Sequence, residues 1–240
     1  MTGKLIGVGV GPGDPGLVTL NALRALTEAD VIAYFAKAGH DSTARAIVAP
    51  HIPVDCEELP LFYPVTTEQP KSAACYRDAI DAFYDVSAAA LASHLDAGRT
   101  VAVIAEGDPL FYGSYMHLHV RLSARYPTEV VAGVTGMSGC WSAAGAPIAQ
   151  GDDVFTVVPA TLAEDELARR LGTADAAVVM KLGRHLPKVR RALAAAGRLE
   201  RAIYVERGTM ANAEMMRLAE KKDDAAPYFA VVLVPGWEKL

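Results

Sequence analysis

The sequence predicts an α/β protein of two domains. Short apolar runs recur along the whole chain, and most stretches between them carry apolar residues at helical spacing. The pattern runs through twice, with about five strands in each half. A chain of 240 residues can form two domains of ordinary size. The expected division is 1–136, an N-terminal α/β domain with a mostly parallel sheet, and 137–240, a C-terminal α/β domain with a mixed sheet. No low-complexity linker marks the boundary, which is expected in the Gly/Ser/Ala-rich stretch from Gly133 to Gly145.

In the first half, Leu5–Val10, Val31–Phe35, Thr100–Ala105 and Glu129–Val131 read as strands, with a weaker strand near Glu57–Leu59. Ser72–Ala97 reads as a helix. Its apolar positions Tyr76, Ile80, Phe83, Tyr84, Ala88, Leu91 and Leu95 recur at three or four, and Gly98 is a fitting stop. In the second half, "DVFTVVPA" reads as a strand, and "TLAEDELARRLG" as a helix with Thr161 and Glu164 spaced as a capping box and Gly172 at its end. "DAAVVMKLG" and "RAIYVERG" read as strands, "LPKVRRALAAAG" and "TMANAEMMRLAEKK" as helices, and "PYFAVVLVPG" as the closing strand.

Composition narrows the function classes. Hydrophobic residues make up 52% and charged residues 21%, which is globular rather than disordered. The net charge of −5 argues against general nucleic-acid binding. No apolar run reaches the roughly 18 residues of a membrane span, and Gly and Pro interrupt the N-terminus before any signal-peptide pattern. Cys56, Cys75 and Cys140 are odd in number, far apart and outside any C-x-x-C spacing, so neither a disulfide framework nor a zinc site is expected. A reducing cytosol is the default, and Cys140 in "GMSGCWSAAG" reads as a small core residue.

Three loops that follow strands are alike in their glycine, proline and aspartate. They are "GVGPGDPG", "AEGDPLFYGSY" from Ala105, and "VAGVTGMSGCWSAAGAPIAQGDD" from Val131. In the first, Gly11, Gly13 and Gly16 have the spacing of a dinucleotide fingerprint. The chemistry fits worse. Pro12 and Pro15 lack the N–H groups such a loop presents to a pyrophosphate, and Asp14 puts a carboxylate where phosphate charge would sit. Asp14 is better read as a cap, with Pro15 at the first helical position. The acid expected about 20 residues on, at the end of the second strand, is absent, because Asp30 begins that strand instead. All three loops should lie at the carboxyl edge of a parallel sheet, where α/β proteins bind ligands.

In this order the loops resemble the signatures of the tetrapyrrole (corrin and porphyrin) methyltransferase family, and the resemblance covers essentially the whole chain. "GVGPGDP" followed by "LVTLNALRAL" resembles the first signature, "EGDPLFYGS" the second and "AGVTGMSGCWSAAGAPI" the third. "EGDPLFYGSY", "GMSGCWSAAGAPIAQGDD" and "VVMKLGRHL" are most similar to members that methylate precorrin-2 at C20. The resemblance implies two α/β domains with S-adenosyl-L-methionine (SAM) in the cleft between them, in the tetrapyrrole methylase fold rather than the usual SAM-methyltransferase Rossmann fold. It also implies a cytoplasmic homodimer, a small-molecule tetrapyrrole substrate, no metal on the protein, and no nucleic-acid or membrane partner.

The cofactor contacts so implied are Pro12, Glu106, Gly107, Asp108, Thr135, Gly136, Met180, Lys181, Gly208, Pro227 and Tyr228. Glu106 stands where the family often has Gly, and Lys181 where many members have Met. Physically, glycines allow close backbone approach, Asp108 can accept from an ammonium or ribose, and Met180 can pack on adenine. Equally, Asp108 reads as a turn-capping carboxylate and Met180 as plain core.

A carboxylate-rich tetrapyrrole calls for local positive charge, and Lys181 to Arg207 holds eight Lys and Arg against Glu200 and Glu206. Arg184, His185 and Arg207, just after strand ends, are the substrate candidates, with Arg121 and Arg125 four apart on an expected helix face. Lys188, Arg190 and Arg191 read as a solvated helix face. His117 and His119, two apart, do not share a helical face, which weakens a metal-pair reading. Tyr112, His117 and Glu106 are the candidate bases for proton removal. Alternatives are the cobalt-containing substrate, an NAD(P) oxidoreductase and a non-enzymatic tetrapyrrole carrier.

Overall fold

A computed structural model describes residues 2–64 and 74–237, with side chains in the second stretch from 77 onward; Ser72 and the side chains of Cys75 and Tyr76 lie outside the described residues. The chain divides into two compact units, Met1–Gly136 and Met137–Leu240.

The first unit is built on β1 (Leu5–Gly9), β2 (Val31–Lys37), β3 (Glu57–Tyr63), β4 (Val101–Ala105) and β5 (Thr128–Val131). They form one sheet in the order β3-β2-β4-β1-β5. Every pairing is parallel, so the loops after the strands leave from one edge. The helices α1 (Leu20–Glu28) and α2 (Thr43–Val48) cover one face over Ile6, Val8, Ile32 and Ile104. The opposite face, with Leu5, Val31, Val101 and Val103, is covered by α3 (Ala74–Asp96) and α4 (Tyr115–Leu122). Burial on both faces explains why β1 and β4 are continuous apolar runs. Gly7 in β1 is required by packing: a Cβ there would stand 2.3 Å from the ring of the fully buried Tyr115.

Sequence signals set the helix ends here. Asp14 accepts from the Gly16 N–H with Pro15 at the first position, but it caps only the 3₁₀ turn Pro15–Leu17. The longer α1 starts separately, with Thr19 accepting from Ala22 N–H. Gly98, at φ +81°, ends α3 in a Schellman arrangement: its N–H donates to Leu95 O, and the Arg99 N–H donates to His94 O.

The second unit contains β6 (Phe155–Pro159), β7 (Ala176–Met180), β8 (Ile203–Glu206), β9 (Glu214–Arg217) and β10 (Ala230–Val234), in the order β6-β7-β10-β8-β9. Only β6 and β7 pair in parallel. β10 runs antiparallel to both β7 and β8, and β9 antiparallel to β8. The helices α6 (Glu164–Thr173) and α7 (Leu186–Ala195) pack on one face. α5 (Gly136–Ala143), whose first residue closes the first unit, sets Cys140 and Trp141 on the other. Cys140 is a core residue as expected, and burial pushes its thiol up to about 11.

Three expectations fail. "TMANAEMMRLAEKK" is not a helix: residues 214–217 form β9, followed by the 3₁₀ turn Leu218–Glu220. Pairing with β8 and burial of Met216 and Leu218 against the core outweigh the helix propensity of Ala, Met, Glu and Lys. Thr161 and Glu164 form no capping box: α6 begins at Glu164 with Ala163 as its N-cap and no side-chain cap. The Glu164 carboxylate is instead drawn to Arg191 of α7 at 2.7 Å, and the helix continues through Gly172 to Thr173. Arg125 lies beyond the end of α4 and shares no helical face with Arg121; it donates to Tyr126 Oη at 3.1 Å and lies over that ring.

Candidate functional site

At the carboxyl edge of the first sheet, β1 lies between β4 and β5, which brings the three loops together. They meet through backbone. Gly107 N–H donates to Gly11 O at 2.8 Å, and the two residues form an isolated antiparallel bridge. Both adopt positive φ, +67° at Gly107 and +80° at Gly11. Gly9 and Gly133 approach so closely that a Cβ on Gly133 would stand 2.0 Å from Gly107 O, and one on Gly9 2.6 Å from Gly133 N. Only glycine satisfies these contacts. Pro12 sits half-buried beside this junction. Thr135 and Gly136 lead into α5, and a Cβ on Gly136 would meet nothing within 4 Å, so this side of the loop is open.

Asp108 ties two loops together. One oxygen accepts from Leu110 N–H at 2.9 Å, and the other from Gly133 N–H at 3.1 Å. The turn-capping reading is therefore correct as far as it goes, and each oxygen retains a second lone pair for a ligand. The end of the second loop is held by Ser114, hydrogen-bonded to Tyr63 at the end of β3. Glu106 lies between Ala105 and this junction. Solvent reaches its side chain, yet crowding removes enough water to raise its carboxyl pKa, while the Ala44 N–H and Thr43 hydroxyl at the start of α2 act in the opposite direction.

Other candidates in this unit are committed elsewhere. His117 stacks on Tyr84 of α3, centroids 4.1 Å apart at 14°. Loss of water, then the charge of Arg121, lowers its pKa against the opposing Asp81. Its neighbour His119 turns to Tyr115 Oη at 3.2 Å, so the two histidines diverge. Arg121 donates to Asp85 at 2.8 Å and to His117 O at 3.1 Å, a helix-pairing role. Tyr112 is exposed in the second loop, with φ +55° and its ring edge-on to Phe111.

In the second unit, β7 and β8 share a direction, so their carboxyl ends and the start of β10 lie on one edge. Met180 ends β7 half-buried against Cys140 and its neighbours. Lys181 follows at φ +59° and Arg207, after β8, at φ +50°. The Arg207 N–H donates to Phe229 O at 2.7 Å, which places it beside the Pro227–Tyr228 segment entering β10. Its guanidinium pairs with Glu206. Gly208 packs on Cys140, where a Cβ would stand 3.0 Å from Sγ. Among the described residues, Tyr112, Lys181 and Arg207 are the non-glycine residues at positive φ. Such conformations cost about 1–3 kcal/mol each and gather at functional loops.

Arg184 is exposed and forms no ion pair among the described residues. His185 beside it has its pKa lowered by burial, then by Lys188 and Arg184. The helix-face cations are structural. Arg190 donates to Asp224 and to the carbonyls of Leu218, Lys221 and Asp223, Arg191 pairs with Glu164, and Lys188 donates to Leu162 O. Sequence reasoning missed Gly9 and Gly133 as the loop junction, although glycines at the ends of two apolar runs were the available signal. It also missed Thr43 and Ala44 beside Glu106, which no local pattern announces. Among the described residues, no group of three or more His, Cys, Asp or Glu is placed to hold a metal ion, and no helix is long and apolar enough to cross a membrane.

This arrangement has known counterparts. The chain is 64% identical to a precorrin-2 C(20)-methyltransferase of Sinorhizobium sp over 98% of its length and 96% of that protein. It is 31% identical to a cobalt-precorrin-2 C(20)-methyltransferase of Salmonella typhimurium, covering 99% of each chain. It superposes on the crystal structure of uroporphyrin-III C-methyl transferase from Thermus thermophilus, complexed with S-adenyl homocysteine, with a TM-score of 0.67, 25% identity and 96% coverage of both chains. Residues 4–222 match the model of the tetrapyrrole (corrin/porphyrin) methylases. With its two α/β units and its glycine-joined loops, the chain belongs to the tetrapyrrole methylase family.

Proposed function

We propose that the chain is a SAM-dependent C-methyltransferase that methylates precorrin-2 at C20, giving precorrin-3A on the route to cobalamin. The observation that carries this reading is the near full-length likeness to the Sinorhizobium enzyme, far higher than that to the enzyme named for the cobalt form. That difference favours the metal-free substrate.

The residues suit the cofactor. SAM supplies a methyl group on a sulfonium sulfur, with polar adenine, ribose and amino-acid ends to be held. Gly107, Thr135 and Gly136 offer backbone at close approach, and Asp108 offers its remaining lone pairs to an ammonium or hydroxyl. Met180 and Gly208 provide an apolar contact and a surface without a side chain, with Pro12, Glu106, Lys181, Pro227 and Tyr228 completing the assignment. Arg184, His185 and Arg207 are assigned to the carboxylates of the tetrapyrrole. C20 of the reduced macrocycle is itself electron-rich, so the chain's main work is to orient it, exclude water and accept its proton. The reading includes a cytosolic homodimer with no protein-bound metal; light scattering and elemental analysis of the purified protein test the last two parts.

The main test is anaerobic incubation with SAM and, in parallel, precorrin-2 and its cobalt form, read by product mass and initial rate. Faster addition of one methyl group to precorrin-2 is expected. Faster reaction of the cobalt form would move the chain to that substrate. Binding of the macrocycle without SAM would make it a carrier, and binding of NAD(P) in place of SAM would make it an oxidoreductase.

A further inference from the structure

The second loop is anchored at both ends. At its start, Gly107 bridges to Gly11 and Asp108 reaches Gly133. At its far end, the hydroxyls of Ser114 and Tyr63 share a hydrogen bond. Tyr63 is the last residue of β3, and its ring is held independently of that bond. It stacks on Phe35, centroids 5.6 Å apart at 22°, and lies 4.8 Å from the buried Phe83. The hydroxyl is therefore a fixed point set by the core. Ser114 stands just before α4, yet its side chain makes no capping hydrogen bond to that helix. The ordinary use of a serine at a helix start is given up for the bond to Tyr63.

Between Ser114 and Asp108 the loop has little slack. Phe111 N–H donates to Asp108 O at 3.3 Å. Gly113 lies against the same turn, where a Cβ would stand 2.9 Å from Pro109 O and 3.4 Å from Asp108 O. Pro109 is itself buried. A shift at Ser114 thus presses through Gly113 onto the backbone of Pro109 and Asp108. Tyr112 belongs to this stretch, and its φ of +55° persists only where the surroundings impose it.

We infer that Tyr63 is a positioning residue for SAM: through Ser114, its hydroxyl fixes the second loop in the form in which Gly107 and Asp108 hold the cofactor. The role rests on the proposed SAM-dependent function. Neither hydroxyl is assigned a contact with SAM. The bond acts by preorganisation, so that the loop is ordered on folding and not at the expense of binding.

The test compares wild type, Tyr63→Phe, Ser114→Ala and the double variant, with SAM affinity measured by calorimetry beside turnover of precorrin-2. Tyr63→Phe keeps the ring and removes only the hydroxyl. Each single variant is expected to bind SAM about 3–10-fold more weakly, with turnover at saturating SAM within about twofold of wild type. The double variant is expected to be no weaker than the worse single one, because both substitutions delete the same bond. Unchanged SAM affinity in a folded Y63F or S114A, with or without a lower melting temperature, makes the bond a fold element only and overturns the role. Losses that multiply in the double variant show that the hydroxyls act separately, and overturn it too. A fall of more than about tenfold in turnover at saturating SAM contradicts a role confined to holding the cofactor. Should Y63F not fold, the SAM affinity of S114A decides alone. A wild-type chain that binds no SAM overturns the function beneath this role as well, and is distinguished by failing before any substitution is made.

Discussion

The two sheet edges that carry the candidate residues are built from different materials. The first is made of backbone: Gly9 and Gly133 meet at distances no side chain survives, Gly11 and Gly107 bridge at positive φ, and a carboxylate, Asp108, stitches the loops. The second is made of side chains on strained backbone, with Lys181 and Arg207 at positive φ and Arg184 outside any ion pair among the described residues. A parallel sheet delivers every strand's carboxyl end to one edge and can pack three loops there. A mixed sheet delivers fewer, and the second unit supplies cationic side chains instead. Backbone groups at close approach suit a small polar ligand, while long cations such as Arg184 suit a polyanionic one.

The most damaging way to probe this contrast is Gly133→Ala. Its Cβ would collide with Gly107 O at 2.0 Å, so a loss of about 3 kcal/mol or more and abolished SAM binding are expected. Circular dichroism and calorimetry check both. Next is Asp108→Ala, which strands the amides of Leu110 and Gly133. It should cost about 2 kcal/mol and weaken SAM binding about tenfold. Unchanged SAM affinity in a folded variant would leave Asp108 a loop clamp alone.

Within the second unit the contrast narrows to two arginines. Arg190→Ala breaks a clamp onto Asp224 and three carbonyls and should cost about 2 kcal/mol with KM unchanged. Arg184→Ala should leave stability within about 0.5 kcal/mol and raise KM for precorrin-2. Trp141 and Trp237 are the chain's two tryptophans and both lie in this unit, so their fluorescence reports its unfolding separately.

How far the sequence could be read follows the same divide. β1, β2 and β4 were legible because parallel strands buried on both faces are uninterrupted apolar runs, and α3 because its apolar spacing and Gly98 agree. β9 was not, because residues 214–217 take their conformation from β8 and the core rather than from their own propensity. The capping box at Thr161 failed for a related reason, a distant Arg191 competing for Glu164. Motifs located the loops that meet at the first edge, while the commitment of Arg121 to Asp85 needed the α3–α4 packing, which no local pattern encodes.

Two smaller effects refine the contrast. Gly172 sits inside α6 with nothing within 4 Å of an added Cβ. Gly172→Ala is therefore expected to stabilise the second unit by up to about 1 kcal/mol, opposite in sign to Gly133→Ala. Arg169 and Arg170 hold the half-exposed Glu166 carboxyl at about 2. Its folded pKa is depressed below the unfolded value of about 4.3, so its contribution is full above that pH and is lost as pH falls through the folded value. Glu166→Gln should lower the second unit's stability slightly at neutral pH, and the gap from wild type should close in acid, as read by tryptophan fluorescence.

Methyl transfer to one carbon of one macrocycle is decided by carbon NMR of the product formed anaerobically from precorrin-2 and methyl-¹³C-labelled SAM. A single enriched methyl group attached at C20, with the C20 proton gone, is the predicted result. Enrichment at any other ring position, or retention of the C20 proton in the isolated product, would contradict it.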